Sequence, residues 1–261
     1  MAQGMSDEIA RAARRRTRTV VGTVAAVILG IAVVVAGLVV AVGQRGSPVP
    51  DPAGGPASSA GGMAGATAPA GSAGSAGPDA VSWSTVAGAK VPVSATAGPS
   101  DTNAGRARGF AHTSLGAVLA AANISVRLSP QVGPDVFGPT LREQVVGPDS
   151  DALSQHLDED YQAARAQLGL PYGAAAGRLY STTTGYQLDM HGTDAATVRL
   201  LIEGPGTSGG SVLVALVTHV QWTGADWALQ APNRGDWNTD AAVVTDASGY
   251  TTFPNRPADG S

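Results

Sequence analysis

The sequence contains no cysteine in its 261 residues and has few aromatic residues, at 5% of the chain. The missing cysteines exclude disulfide bonds, catalytic thiols, iron–sulfur clusters and thiolate zinc sites, so any folded part must be stable through its core alone. Beyond residues 1–19, 18 acidic side chains face 11 basic ones, a net charge of −7. This acidic balance argues against a nucleic-acid-binding surface, and we expect no nucleic-acid partner.

Charged residues are also absent from one long apolar run, Val20 to Val42. As a helix that rises about 1.5 Å per residue, this run would span roughly 35 Å, against a hydrocarbon core of roughly 30 Å. We therefore predict a single-pass transmembrane helix. The bulky side chains that we expect to contact membrane lipid are Val20, Ile28, Leu29, Ile31, Leu38 and Val42.

The charges that flank this run predict its orientation. Five arginines precede it, and only Arg45 lies close after it. Because positive flanks stay in the cytoplasm, we expect a cytoplasmic N-terminus and an extracytoplasmic C-terminal domain at the cell membrane. The alternative is a signal peptide cleaved near Gly43, but the apolar region of such peptides usually has only about 7–15 residues. The five arginines are Arg11, Arg14, Arg15, Arg16 and Arg18.

The composition divides the chain into five segments. The segment that follows the apolar run is built almost wholly from Gly, Ala, Ser and Pro, so it offers too little apolar surface to bury and is expected to be disordered. As a flexible coil of about 36 residues it would reach roughly 30–35 Å. The segments are a basic tail (1–19), the transmembrane helix (20–42), the linker (43–80), an α+β domain (81–255) and a disordered tail (256–261).

Within the domain, helical periodicity comes first and strand periodicity follows. Leu115, Val118, Leu119 and Ala122 mark one face of a helix capped at Thr113 or Ser114. A second helix is predicted between a cap at 148–151 and a stop at Gly169, with a short helix at 140–146 before it. The predicted strands are a lead-in within 81–93, then 186–190, 196–203, 211–222 and 227–230. This order predicts an α+β domain with helices packed on a curved antiparallel sheet.

Three motifs carry a resemblance to known proteins. They are GFAHTSLGAVLAA at 109–121, YQAAR at 161–165 and THVQWTGADWALQ at 218–230. With the anchor and linker, they resemble a group of actinobacterial single-pass membrane proteins encoded mainly on integrative and conjugative elements. The predicted order of elements is also similar to the cystatin-like cone of nuclear transport factor two and of periplasmic bridge subunits in type IV secretion machines. That second likeness concerns the fold alone.

Several short patterns suggest chemistry, but each is better explained by structure. The G-x-G-x-x-G match at 204–209 precedes a strand pattern, whereas a dinucleotide site needs a helix there. No two of the four histidines have metal-ligand spacing. Asp189 and His191 flank a turn and could form an acid–base pair inside a cone, although alternation favours an exposed Asp189. The acidic run 158–160 is expected on the outer, solvated side of its helix, where it could contact a partner, and the Arg-Gly-Asp triplet 234–236 is expected in a loop as a chance match.

A possible partner surface lies on the longest predicted strand. Alternation places Val214, Leu216, Val220 and Trp222 on the inner face and leaves Leu213, Ala215, Val217 and His219 on the outer face. The outer face would be an exposed apolar surface unless the C-terminal tail or another subunit covers it. Trp222 and Trp227 flank a four-residue turn, so both rings are expected at one end of the hairpin. The residues that we assign to this surface are Leu213, Val217, Trp222 and Trp227.

These features favour a non-enzymatic, membrane-anchored scaffold or assembly protein of the cell envelope, with a role in conjugative, type IV secretion-like transfer. The expected partners are membrane lipid, envelope proteins such as secretion-channel subunits, and a second copy of the chain. We expect no catalytic residue, cofactor or metal. The alternative is an extracytoplasmic binding or enzymatic module that uses the interior of the cone as a pocket.

Overall fold

The computed structural model describes residues 81–206 and 209–256. They form a curled, mixed β-sheet with three α-helices, which is an α+β architecture. The helices are α1 (Ser114–Arg127), α2 (Pro134–Gln144) and α3 (Ser150–Leu168). The strands are β1 (Val81–Val86), β2 (Ala89–Ser94), β3 (Val145–Val146), β4 (Thr182–Met190), β5 (Ala195–Pro205), β6 (Ser211–Trp222), β7 (Trp227–Gln230), β8 (Ala241–Val244) and β9 (Thr251–Thr252).

Local capping chemistry sets the start of α1 and the end of α3, as the sequence predicts, whereas Asp149 at the start of α3 makes no side-chain capping hydrogen bond. Thr113 is extended, and its hydroxyl accepts a hydrogen bond from the amide of Gly116 at 3.1 Å. This bond satisfies one of the free amides in the first turn of α1. Gly169 ends α3 in the left-handed conformation, with φ of 65°, which glycine adopts without strain.

The centre of the sheet is the antiparallel set β4, β5 and β6. The predicted turn at 191–194 joins β4 to β5, and β6 and β7 have the predicted bounds. β6 pairs with β5 along its whole length, from Ser211 opposite Pro205 to Gln221 opposite Ala195. At its far end β6 turns into β7, which places Trp222 directly opposite Trp227.

Two expectations about the fold are wrong. The sheet is not wholly antiparallel, because β2 pairs with β4 in parallel and β3 pairs with β7 in parallel. The short helix expected at 140–146 instead begins at Pro134, whose fixed φ suits the first helical position. It ends at Gln144, because the β-branched Val145 and Val146 pair with Leu229 and Gln230.

Helix α1 occupies the concave side of the curled sheet. It contacts five strands, and Val118 and Leu119 are fully buried against the inward residues of β5 and β6. Val198, Leu200 and Val220 belong to the same core, as alternation along the strands requires. The space that a cone-shaped fold could offer to a ligand is thus filled by helix side chains.

The C-terminal segment wraps around the sheet. β8 pairs with β6, and β9 pairs with β4, so the chain passes from one side of the three-strand centre to the other. Phe253 is then buried beside Trp83 and Tyr186, at ring-centre distances of 6.1 and 5.0 Å. The segment from β8 to Phe253 therefore completes the sheet and the core.

The predicted tail 1–19, transmembrane helix 20–42 and linker 43–80 lie outside the described residues. Within 81–206 and 209–256, none of the helices has both the length and the apolar character that crossing a bilayer requires.

Candidate functional site

Two of the three quoted motifs meet at one end of the β6–β7 hairpin, in an arrangement that we call the clasp (residues 109–112 against 222–227). The Asp226 carboxylate accepts hydrogen bonds from the amides of Gly109, Phe110 and Trp227, at 2.7, 3.0 and 2.9 Å. Three amide donors to one carboxylate make a strong, charge-assisted set. The segment that leads into α1 is thereby fixed to the sheet.

Two aromatic contacts complete the clasp. The Trp227 indole nitrogen donates to the Ala111 carbonyl at 2.9 Å. The His112 ring stacks on Trp222, with ring centres 4.2 Å apart and 9° between planes. His112 Nε2 also lies 2.9 Å from an Asp194 carboxylate oxygen and 3.0 Å from the Thr193 carbonyl. The clasp therefore joins the β4–β5 turn, the β6–β7 turn and the start of α1.

The clasp changes the assignment of the tryptophan surface. Both rings do sit at one end of the hairpin, 5.7 Å apart, as predicted. Trp227 is only 1% exposed and belongs to the core, so it cannot line a partner surface. Trp222 is half-buried beneath His112. The sequence could not show that Trp222 is covered, because His112, which stacks on it, lies about 110 positions earlier in the chain.

The outer face of β6 is not an open apolar surface. Leu213 and Val217 are half-buried, and Ala215 is buried. Arg199 and Gln187 share this face, with Arg199 Nη1 donating to the Gln187 amide oxygen at 2.7 Å. Gln187 in turn donates to the Gly249 carbonyl at 3.2 Å, so the segment between β8 and β9 crosses this face. This face was expected to be covered by the C-terminal part of the chain or by another subunit. The segment between β8 and β9 provides the first of these.

Three side chains on this face form a hydrogen-bonded row. Thr197 Oγ1 lies 2.8 Å from His191 Nε2 and 3.1 Å from His219 Nδ1. Because the hydroxyl has one proton, it can donate to only one ring, and the other ring nitrogen must donate to it. Asp189, the cross-strand neighbour of Thr197, is exposed. Within the described residues, no three His, Asp or Glu side chains are placed to hold a metal ion.

The Arg-Gly-Asp triplet is part of a packing contact. Gly235 lies against α3 with φ of 68°, and a Cβ atom there would overlap the backbone nitrogen of Leu153. Its carbonyl lies 3.0 Å from His156 Nδ1. Asp236 accepts a hydrogen bond from the amide of Asn238 at 2.9 Å. The triplet thus holds the segment after β7 to α3.

The third motif fixes the segment that follows α3. Tyr161 is fully buried, and its hydroxyl donates to the Ala174 carbonyl at 2.8 Å and accepts from the Gly173 amide at 3.0 Å. Arg165 Nη1 donates to the Leu170 carbonyl at 3.0 Å. Each of the three motifs therefore contributes polar side chains that hold chain segments together.

One buried cation, Arg127, could not be identified from the sequence. Arg127 is 4% exposed, and burial lowers the pKa of its guanidinium to about 10, so it is charged at neutral pH. It donates to the Gly105 carbonyl and to the Asn123 carbonyl, each at 2.8 Å. Its position at the end of a helix, after an apolar face, gave no signal that distinguishes it from a surface arginine.

The glycine-rich match at 204–209 lies in a strand connection. β5 ends at Pro205 and β6 begins at Ser211, so a strand follows the glycines, as predicted. Gly206 and Gly210 close the connection through a hydrogen bond of 3.0 Å. Thr207 and Ser208 lie outside the described residues. The requirement for a helix that opens at the third glycine is not met.

Comparison with known proteins identifies a family. The model of a domain of unknown function, DUF8175, matches residues 45–252, and the chain belongs to this family. No curated protein and no solved structure matches the chain.

Proposed function

We propose that this member of the DUF8175 family is a single-pass membrane protein whose extracytoplasmic domain acts as a scaffold, through contacts with envelope proteins. The proposal combines the apolar run from Val20 to Val42 with the structure of residues 81–256. Following the resemblance stated above, we expect secretion-channel subunits of a conjugative machine among the partners.

The occupied concave side of the sheet is the observation that supports a scaffold best. Ligand-binding domains keep a concave pocket with a few convergent polar groups. Here α1 fills that space, and its residues Ala117 to Ala120 are fully buried. In the quoted motifs, Asp226, Tyr161 and Arg165 hold chain segments together. Such a body is suited to present surfaces to partners.

The same arrangement supports the finer description of the fold as a cystatin-like cone. The long strands β4, β5 and β6 curl around one helix, and that helix touches strands across the sheet. An experimental structure that aligned β4–β6 and α1 with a cystatin-like cone in the same order would support it. A different order of strands would contradict it.

The alternative, a small-molecule-binding module, has one observation in its favour. A half-open depression of about 290 Å³ lies between β1, α1 and the C-terminal segment, and Val81, Leu115, Tyr186 and Phe253 line it together with residues 251, 252 and 254. This volume is at the low end for ligand sites. No carboxylate, imidazole or basic side chain lines the depression, and its polar side chains are the hydroxyls of Tyr186, Thr251 and Thr252.

Crosslinking in membranes tests the scaffold directly. The full chain, tagged at its C-terminus, would be crosslinked mildly, purified from membranes and identified with its partners by mass spectrometry. We expect envelope proteins that are lost when residues 81–261 are deleted and the tag follows residue 80. Recovery of the same proteins with residues 1–80 alone, or of lipid or a small metabolite only, would contradict the proposal.

A further inference from the structure

The segment Leu168–Tyr180, which we call the aromatic loop, joins α3 to β4 and presents apolar side chains to solvent. Tyr172 is 64% exposed, Tyr180 is 42% exposed and Leu168 is 36% exposed. Across 81–206 and 209–256, the only other large apolar side chain that is similarly exposed is Val243. Three of the four large apolar side chains that are exposed in the described residues therefore belong to this one loop.

Two side chains of α3, Tyr161 and Arg165, hold the loop in one conformation. The buried Tyr161 hydroxyl bonds to both Gly173 and Ala174, and Arg165 bonds to the Leu170 carbonyl. Binding by a segment that is already ordered costs less conformational entropy than binding by a flexible one. The exposed rings are thus presented by a preorganised element.

The charge of the loop is opposite to that of the chain. No acidic residue occurs between Asp160 and Asp189, whereas Arg165 and Arg178 both lie there, in a chain of net charge −4. Each guanidinium lies 5.9 Å from the ring centre of a loop tyrosine, Arg165 over Tyr172 and Arg178 over Tyr180. Tyrosine with arginine is the pairing found at membrane–water interfaces, where the ring meets the headgroups and the cation meets phosphate.

The loop lies one strand length from the point where the predicted linker (43–80) joins the domain. The linker precedes Val81, the first residue of β1, whereas the loop contacts the turn at the other end of β1, where the Leu179 amide donates to the Ala87 carbonyl at 2.7 Å. A six-residue strand is about 20 Å long, and a flexible linker of about 36 residues would reach roughly 30–35 Å. An anchored chain would therefore keep the loop at a high effective concentration near the bilayer.

We propose that the aromatic loop docks on the anionic lipid surface of the membrane that holds the chain, and so orients the outer domain. The proposal rests on the proposed membrane anchor. A protein partner is less well supported, because a stable protein interface buries about 800 Å² per partner and uses 20–30 residues. A tethered domain needs only weak affinity, which a 13-residue loop can supply.

Hydrogen exchange of the full chain in vesicles tests this proposal. The chain would be reconstituted into phosphatidylcholine vesicles with and without phosphatidylglycerol, and deuterium uptake would be followed in peptides covering the loop. The variants are Arg178→Gln and Tyr172→Ser/Tyr180→Ser. Arg142→Gln removes a cation from an exposed position on α2 and is the matched control.

We expect slower uptake in the loop only with phosphatidylglycerol, and loss of that protection in 0.5 M salt. Arg178→Gln should reduce the protection about fivefold, since a cation near an anionic surface contributes about that factor, and Arg142→Gln should leave it unchanged. Equal uptake in both lipids, or protection in detergent that rises with protein concentration, would overturn the proposal. Extraction of the chain from the vesicles by alkaline carbonate would instead show that residues 20–42 do not anchor it. This result distinguishes failure of the proposed anchor from failure of the proposed docking.

Discussion

At the scale of single residues, Asp226 stabilises the clasp through hydrogen bonds to backbone amides. Its carboxylate accepts three backbone amide hydrogen bonds from two chain segments. Asp226→Ala leaves those amides without their acceptor, so we expect the free energy of unfolding to fall by about 2 kcal/mol. Urea denaturation of the purified chain in detergent, followed by tryptophan fluorescence, measures the loss.

Asp194→Ala is the matched control for Asp226→Ala. Asp194 contacts the clasp through His112, but its carboxylate is 65% exposed and pairs only with the partly exposed His112 and the hydroxyl of Thr193. Exposed pairs contribute about 0–1 kcal/mol. If Asp194→Ala lowered the free energy of unfolding as much as Asp226→Ala, then Asp226 would not be the residue that stabilises the clasp.

A second prediction at this scale concerns pH. Burial raises the pKa of Asp240, with His219 lowering it and Asp236 raising it further. The unfolded carboxyl therefore ionises at a lower pH than the folded one, so the cost to stability appears as pH rises above about 3.8 and is complete above the raised pKa.

Asp240→Asn removes this cost. We expect a higher melting temperature than that of the native chain at pH 7, and a difference that disappears near pH 3. Asp189→Asn, an exposed aspartate on β4, is the control and should show no such gain. A gain from Asp240→Asn that is the same at both pH values would mean that its cause is not the charge of Asp240.

At the scale of elements, Gly235 tests how α3 is held to the segment after β7. Gly235→Ala must place a methyl group where the Leu153 backbone nitrogen lies, at a φ of 68°. Overlap with backbone and strain in φ act together, so we expect a loss of about 3 kcal/mol. Thermal unfolding followed by circular dichroism would measure it.

Gly192→Ala provides the comparison for Gly235→Ala. Its φ is 78°, and no atom lies within 4 Å of an added Cβ. Only the conformational cost applies there, about 1 kcal/mol. If Gly235→Ala cost no more than Gly192→Ala, the close approach to α3 would not be a real constraint.

Most elements could be predicted from the sequence because their signals are local. Helix α1 has its cap at Thr113, α3 has its stop at Gly169, and β6 combines an apolar run with alternation. The parallel pairings of β2 with β4 and of β3 with β7 could not be predicted. They depend on which distant segments meet, and two-residue β3 has no periodicity to detect.

The candidate site shows the same limit. Alternation correctly separated the two faces of β6, and the turn correctly brought Trp222 and Trp227 together. Whether those residues reach solvent depended on His112 and on the C-terminal segment, both far away in sequence. Sequence patterns describe faces of elements, whereas exposure is decided by what packs on them.

At the scale of the whole molecule, contacts between segments far apart in sequence close the domain formed by residues 81–206 and 209–256. β8 and β9 tie the C-terminus to both sides of the sheet centre, and the clasp ties the start of α1 to the β6–β7 turn. In the described residues α1 fills the inner side of the sheet. The proposed function therefore depends first on the location of the domain outside the cytoplasmic membrane.

Protease accessibility in intact cells, combined with carbonate extraction of membranes, tests both the membrane anchoring and the location of the C-terminus. With a tag at the C-terminus, we predict that the chain stays in the carbonate-insoluble membrane pellet and that protease added outside the cytoplasmic membrane removes the tag. Arg11 to Arg18 changed together to glutamine should reduce this orientation, because the positive flank sets it. A chain released by carbonate, or a C-terminal tag protected until the cells are lysed, would contradict the account.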